Sequence, residues 1–310
     1  MGNITEDGHF TSKLNQVPNS SRAGILAFFS ALNIFLSITA FLGNALILIA
    51  LHKVTSIYPP TKLFYRCLAA TDLCVGVIVQ PLYAICLMAP MSPKTLMRAS
   101  NFTYVFLVFN TLSWVLCSLS EMTSTAIAVD RLLALLLGLR YRHVVTLRRV
   151  RAIILCFWLT ATSLGLFRLS WSSAITTLLG TILVSVSLAI SIFCYTRIHL
   201  KLRHQQAQVQ NHVPQGQPIV GRISLNVARY RKSVSSILWV QLALAACYVP
   251  WVIPAVLSVN GIENDMAWIA VLTLVLLNSS LNPILYCWKI AQVKLAVKDT
   301  IRLLNCCVNT

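Results

Sequence analysis

Apolar residues in this chain run for a full helix length at a time, with few charges between them, near 24–51, 60–87, 98–134, 150–169, 173–203, 229–257 and 266–287. A hydrocarbon core about 30 Å thick is crossed by about 20 such residues in an α-helix. Inside lipid every backbone N–H and C=O must be satisfied within the chain, which leaves helices and closed barrels, and runs of this length select helices. The expected fold class is therefore an all-α membrane protein, a seven-transmembrane helix bundle. Composition agrees, since 57% of the 310 residues are hydrophobic and 11% are charged, against roughly a quarter charged in soluble domains.

The net charge of +17 raises the question of a nucleic-acid partner. Placement of the basic residues answers it. With the termini on opposite sides, only Lys13, Arg22, Lys94, Arg98 and Arg168 of the 25 Lys and Arg fall on the N-terminal side. The others gather on the far side, among them Arg140, Arg142, Arg148, Arg149 and Arg151 in one loop and Arg229, Arg231 and Lys232 before a span. This is the positive-inside bias, with the N-terminus outside, and it argues against nucleic acid.

The expected organisation is an outer tail over 1–23, a transmembrane domain over 24–287 and a cytosolic end over 288–310. The first 24 residues are polar, so no cleavable signal is visible and the first span serves as its own insertion signal. Within 289–304, Ile290, Val293, Leu295, Val297, Ile301 and Leu304 alternate with Lys294, Lys298 and Arg302. That pattern predicts a short amphipathic eighth helix on the inner leaflet. The segment 205–218 is rich in Gln with His, Asn and Pro and is expected to be a flexible cytosolic loop. The ten cysteines lie in predicted spans or the cytosolic tail, so no extracellular disulfide is expected. No internal repeat is evident, which counts against many transporter folds.

Polar groups inside lipid are costly, so each one needs a partner or a purpose. The informative set is Asn44, Asp72, Glu121, Asp130, Arg131 and Asn282. They belong to an ordered series: Gly43-Asn44 in the first span, Leu68-Ala69-Ala70-Thr71-Asp72 in the second and Asp130-Arg131-Leu132 ending the third. Trp158 follows in the fourth, Cys247-Tyr248-Val249-Pro250 in the sixth and Asn282-Pro283-Ile284-Leu285-Tyr286 in the seventh. Six such signals, in order and one per helix, resemble the rhodopsin-like (class A) G protein-coupled receptors along nearly the whole chain.

The resemblance implies a receptor for a small-molecule or lipid ligand that activates a heterotrimeric G protein and sits in the plasma membrane as a multi-pass protein. Arg131 would face the G protein once released from Asp130, and Tyr195 and Tyr286 would swing in to support it. A static ion pair at a helix end is the other reading of Asp130 and Arg131. Pro250 and Pro283 interrupt helix hydrogen bonding and either pivot the bundle or fix a bend. Tyr248 stands where the family usually carries a toggle Trp, and Leu132 where it carries Tyr. Ser120, Asn278, Ser279 and Asn282 match family positions that surround Asp72. Hard oxygens about one carboxylate suit a small cation, sodium in this family, which favours the resting state; a hydrogen-bonded cluster with water is the alternative. No other cofactor is implied, and no catalytic constellation is present.

Departures from the family pattern narrow the ligand. Phe106 stands where most relatives carry a bridging cysteine, the second outer loop at about 170–172 is a few residues long, and Ser187 replaces the usual proline of span five. Together these resemble the melanocortin, cannabinoid, lysophospholipid and adenosine branch, although adenosine receptors keep the bridge. Ser113 occupies the place of the amine-pairing Asp, and Gln80, Tyr83 and Asn110 stand where melanocortin receptors carry acids. The remaining candidate pocket is Ser113, Trp114, Cys117, Tyr248, Trp251 and Leu272, aromatic and mostly uncharged, which favours a neutral small molecule or lipid as ligand; ordinary core packing is an equally good reading of the same residues. Glu121, two turns below Ser113, is a protonated structural acid, a proton sensor or a deep ligand anchor.

Asn3, Asn19 and Asn101 head glycosylation acceptor sequences on the outer side, and Cys306 and Cys307 are placed to carry palmitate beside the eighth helix. The rival function is an ion channel or transporter using Asp72 and Glu121, or a seven-helix receptor that does not couple.

Overall fold

The computed structural model describes residues 19–89, 99–170, 173–211, 243–259, 265–289 and 291–308. Its helices are α1 (Asn19–Lys53), α2 (Pro59–Cys74), α3 (Gln80–Met88), α4 (Ala99–Leu137), α5 (Tyr141–Val144), α6 (Leu147–Ser170), α7 (Ser173–Asn211), α8 (Val252–Val259), α9 (Asp265–Lys289) and α10 (Ala291–Val308). Six stretches are long and apolar enough to cross a membrane: Ser21–Lys53, Pro59–Met88, Phe102–Val144, Leu147–Leu169, Ile175–His204 and Asp265–Leu285. A shorter apolar helix, Ala243–Leu257, lies within the remaining expected span at 229–257. Each expected span thus contains described helix.

The packing is that of a bundle dissolved in lipid. Leu51, Leu68, Leu119 and Leu276 are fully enclosed between helices, whereas Phe28, Phe35, Phe193 and Ile284 each leave about 60% of their surface uncovered. In water such an apolar exterior would aggregate; against acyl chains it costs nothing.

The helices approach closely where small residues allow it. A Cβ on Gly43 would lie 2.9 Å from the ring of Pro283, so the glycine lets α1 approach α9 closely at the proline. Asn44 then donates Nδ2 to the carbonyl of Ser279 across that contact at 3.0 Å. Gly180 of α7 lies so close to the indole of Trp114 that a Cβ there would displace it.

Two irregularities shape the spans. Between α2 and α3, Val75–Val79 forms a π turn in which the N–H of Gln80 bonds to the carbonyl of Val75. Gly76 at this turn lies against Ala40 and Phe41 of α1, and Ser37 donates to its carbonyl at 2.6 Å. In the sixth span, Pro250 sits in a 3-10 segment, Val249–Trp251, that joins helical 243–248 to α8. Proline lacks the N–H that an unbroken helix would use there.

Several boundaries differ from the sequence expectation. The first helix begins at Asn19 rather than at 24, and α4 continues to Leu137, three residues beyond 134. Helix α7 runs on to Asn211, so 205–211 is helical where a loop was expected, and 212–218 lies outside the described residues. A run of Gln and Ala with no Gly or Pro gives the backbone no reason to leave the helix before Asn211. The connection between α6 and α7 is only 171–172.

The amphipathic helix is present as α10, starting at Ala291. It lays Val293 into a core with Ile47, Ala50 and Leu51 of α1, while Leu295 and Ile301 stay exposed. Lys53 donates to Thr300 at 3.2 Å and ties the two helices together.

Candidate functional site

A line of buried polar side chains runs down the bundle, and its middle is Asp72. The carboxylate is fully buried. Its Oδ1 accepts hydrogen bonds from Ser120 Oγ of α4 and Ser279 Oγ of α9, both at 2.8 Å, and Oδ2 accepts from Asn282 Nδ2 at 2.7 Å. Three helices therefore converge on one carboxylate. Asn282 precedes Pro283, which lies inside the continuous helix α9. Asn278, expected in the same cluster, turns elsewhere: its Nδ2 donates to Tyr248 Oη at 3.4 Å and its Oδ1 has no partner. One helical turn from Asn282 it faces the sixth span rather than Asp72.

The second polar centre closes one end of the bundle. Arg131 donates from Nε at 3.2 Å and from Nη2 at 2.6 Å to Oδ2 of Asp130. Two residues that the sequence reading did not single out complete the enclosure. Thr61, in the first turn of α2 behind Pro59 and Pro60, donates to Asp130 Oδ2 at 3.0 Å. Tyr141, at the start of α5, donates to Oδ1 at 2.5 Å and shares a 2.9 Å bond with Thr61. The only sequence signal for Tyr141 is a lone aromatic between Arg140 and Arg142. The guanidinium of Arg131 lies 6.0 Å from the ring centre of Tyr65.

Tyr195 is buried in a cluster with Leu132, Leu244, Cys247 and Tyr248, so the third, fifth and sixth spans share one apolar layer just above Arg131. The side chain of Tyr286 lies outside the described residues, as do those of Asn3, Asn19, Asn101, Cys306 and Cys307.

The expected ligand residues do come together. Ser113, Trp114, Cys117, Tyr248, Trp251 and Leu272 line one small cavity of about 50 Å³, and Glu121 is also in its lining. Trp251 meets Trp114 edge to face at 5.9 Å and Trp268 at 5.0 Å, and its indole N–H donates to Thr181 at 3.3 Å. Arg168 lies 5.2 Å over the face of Trp114, held by Asn110 Oδ1 at 3.3 Å and Thr176 Oγ1 at 3.1 Å. Glu121 is almost fully buried and its Oε1 has no hydrogen-bond partner.

Where the bridging cysteine is replaced, aromatic rings do the packing. Phe102, Phe106 and Phe109 follow one another at 6.4 Å spacings, and Phe109 stacks on Tyr83 at 5.1 Å. Tyr83 in turn donates to the carbonyl of Ile269 at 3.1 Å. Cys67, Cys74, Cys86, Cys117, Cys156, Cys194, Cys247 and Cys287 are free thiols.

A lipid-solvated helix bundle with a charged latch at one end and an aromatic cavity within it defines a multi-pass membrane receptor. The profile of the 7 transmembrane receptor (rhodopsin family) matches residues 43–174 and 167–286, and the chain belongs to that family. The two matched pieces overlap around the very short connection between α6 and α7. Among curated relatives, the chain is 25% identical to melanocortin receptor 5 of Mus musculus over 98% of its own length and 92% of the relative's. It is 26% identical to the histamine H2 receptor of Cavia porcellus, covering 83% of this chain and 74% of that one. It is also 32% identical to adenosine receptor A2b of Homo sapiens, over 47% of this chain and 42% of the relative.

Proposed function

We propose that this receptor carries a signal from a neutral small-molecule or lipid ligand to a heterotrimeric G protein, with its N-terminus outside the plasma membrane and the Asp130 end inside. The observation that carries the reading is the latch. Asp130 holds Arg131 while Thr61 and Tyr141, from two other elements, hold Asp130. A G protein would compete for Arg131, and a ligand would bias the same equilibrium from the aromatic cavity, so that each strengthens the other by linkage.

The cavity walls support the ligand class. Trp114, Trp251 and Leu272 offer apolar surface, and Ser113 with Glu121 offers a few polar atoms, a composition typical of small-molecule sites. At about 50 Å³ the space fits a few waters, so a larger ligand would need its walls to move apart.

A sodium ion fits the chemistry about Asp72. One carboxylate and the hydroxyl oxygens of Ser120 and Ser279 are hard ligands, and none of the hydrogen-bond partners of Asp72 is basic. Bound there, the ion would supply the positive charge the buried carboxylate lacks. Asn282 holds the second carboxylate oxygen and ties α9 to α2 in the same arrangement.

Guanine-nucleotide exchange on a panel of G proteins, in membranes expressing the chain, tests the reading. Exchange that is constitutive or stimulated by a lipid panel and abolished by Arg131→Ala supports it. Correctly inserted protein that drives no exchange on any G protein would favour a non-coupling receptor or an ion-conducting role.

A further inference from the structure

A cavity of about 530 Å³ lies on the lipid-facing side of the bundle between α4, α6 and α7, far larger than the 50 Å³ pocket beneath Trp114. Its volume is that of a site for a molecule of a few hundred daltons or for one long chain. Met122, Val129 and Leu133 of α4, Phe157 of α6 and Val186 and Ile190 of α7 form the walls. Val186 is 51% exposed and Ile190 41%, so the groove opens to the bilayer rather than to another helix.

The walls are mostly apolar, with Thr125 and Ser187 among them, and one end carries charge. There the groove reaches Arg149, whose Nη1 donates to the carbonyl of Val144 at 2.7 Å. That bond steadies the guanidinium at the mouth and leaves its other N–H groups available. Arg142, His143 and Arg148 are exposed on the same short stretch. Asp130, the single acid among the described wall residues, has both oxygens engaged by Tyr141, Thr61 and Arg131, and its charge is paired with Arg131.

We propose that this groove binds an anionic glycerophospholipid, with one acyl chain along the apolar walls and the phosphate on Arg149. A soluble anion would leave the apolar length unfilled, and a neutral lipid would leave Arg149 unanswered, whereas an anionic amphiphile satisfies both ends. The side of the bilayer follows from the orientation proposed above, because anionic lipids concentrate in the cytoplasmic leaflet. The occupant would press on Val129 and Leu133, the residues flanking Asp130 along α4, and so steady the closed latch.

The test uses the full-length protein in nanodiscs of phosphatidylcholine and phosphatidylserine at equal mole fraction, with retained lipid counted by native mass spectrometry. Wild-type protein is expected to retain phosphatidylserine over phosphatidylcholine by about fivefold, the ratio expected of one basic side chain near a headgroup. Arg149→Ala should lose that preference yet still hold lipid. Val186→Trp, which fills the groove from its lipid-exposed wall, should retain less of both, with circular dichroism confirming the helical fold of each variant. Equal retention of the two lipids by wild type, or a preference that survives Arg149→Ala, overturns the proposal. So does displacement of the lipid by the soluble headgroup glycerophosphoserine at the same concentration, which would assign the site to an anion alone. Lipid retention needs no G protein, so these outcomes are independent of whether exchange is found.

Discussion

The hydroxyl of Tyr141 reaches Oδ1 of Asp130 at 2.5 Å, joining α5 to the carboxylate that holds Arg131. This bond crosses from one element to the next within 11 residues, and Thr61 braces it from α2. Asp130 is therefore held on both oxygens whether or not Arg131 stays.

Tyr141→Phe removes a buried donor to a charged group, an interaction of about 1.5–3 kcal/mol. If the latch restrains the receptor, basal nucleotide exchange without ligand should rise, about tenfold for each 1.4 kcal/mol of restraint lost. An unchanged basal rate in protein of normal surface expression would remove Tyr141 from the latch.

Gly43→Ala places a Cβ 2.9 Å from the ring of Pro283, which has no flexible end to move aside. Overpacking of this kind costs about 1–3 kcal/mol. The melting temperature of the purified protein should fall by several degrees. Gly24→Ala, where nothing lies within 4 Å, serves as the control and should leave it unchanged or slightly higher.

Glu121→Leu replaces a buried acid carrying an unpartnered oxygen by an apolar side chain of similar length. An unsatisfied buried polar group costs about 1–3 kcal/mol, so the variant should melt higher than wild type. A lower melting temperature would mean that the carboxyl is satisfied, by water or a ligand. In a ligand screen, a response lost in both Glu121→Leu and Glu121→Gln would identify the residue as an anchor.

If sodium occupies the Asp72 cluster and favours the resting arrangement, as proposed, replacing it by N-methylglucamine at constant ionic strength should raise basal exchange in the wild type. Asp72→Asn should respond equally in either salt. A sodium effect that persists in Asp72→Asn would place the cation elsewhere.

Much of this was legible in the sequence, and the reasons are physical. Lipid forces spans to be helical and long, so the expected helices followed from apolar runs alone, whereas the partners of Asp72 came from the resemblance, whose positions Ser120, Ser279 and Asn282 match. A matching position alone does not fix direction. Asn278 lies one turn from Asn282 on the same helix, yet it points to Tyr248. Thr61 and Tyr141 are ordinary residues at the ends of elements, and only the packing of α2 against α4 and the turn after Gly138 brings them to Asp130. Gly138 makes that turn with φ of 51°, a conformation that favours glycine. The helical 205–211 was missed because composition marks exposure to water better than it marks helical backbone.

The π turn at Val75–Val79 also changes how this chain can be compared with others. A π turn accommodates one more residue than the α-helix around it, and one residue is about 100° of helical rotation. Every side chain from Gln80 onward in that span is therefore carried around by that angle relative to an uninterrupted helix. That rotation is what turns Gln80 and Tyr83 towards the bundle, where both are buried. Against a relative whose second span is an unbroken helix, residue-for-residue matching beyond Val79 would pair side chains that face different neighbours. A single gap placed within Val75–Val79 restores the correspondence.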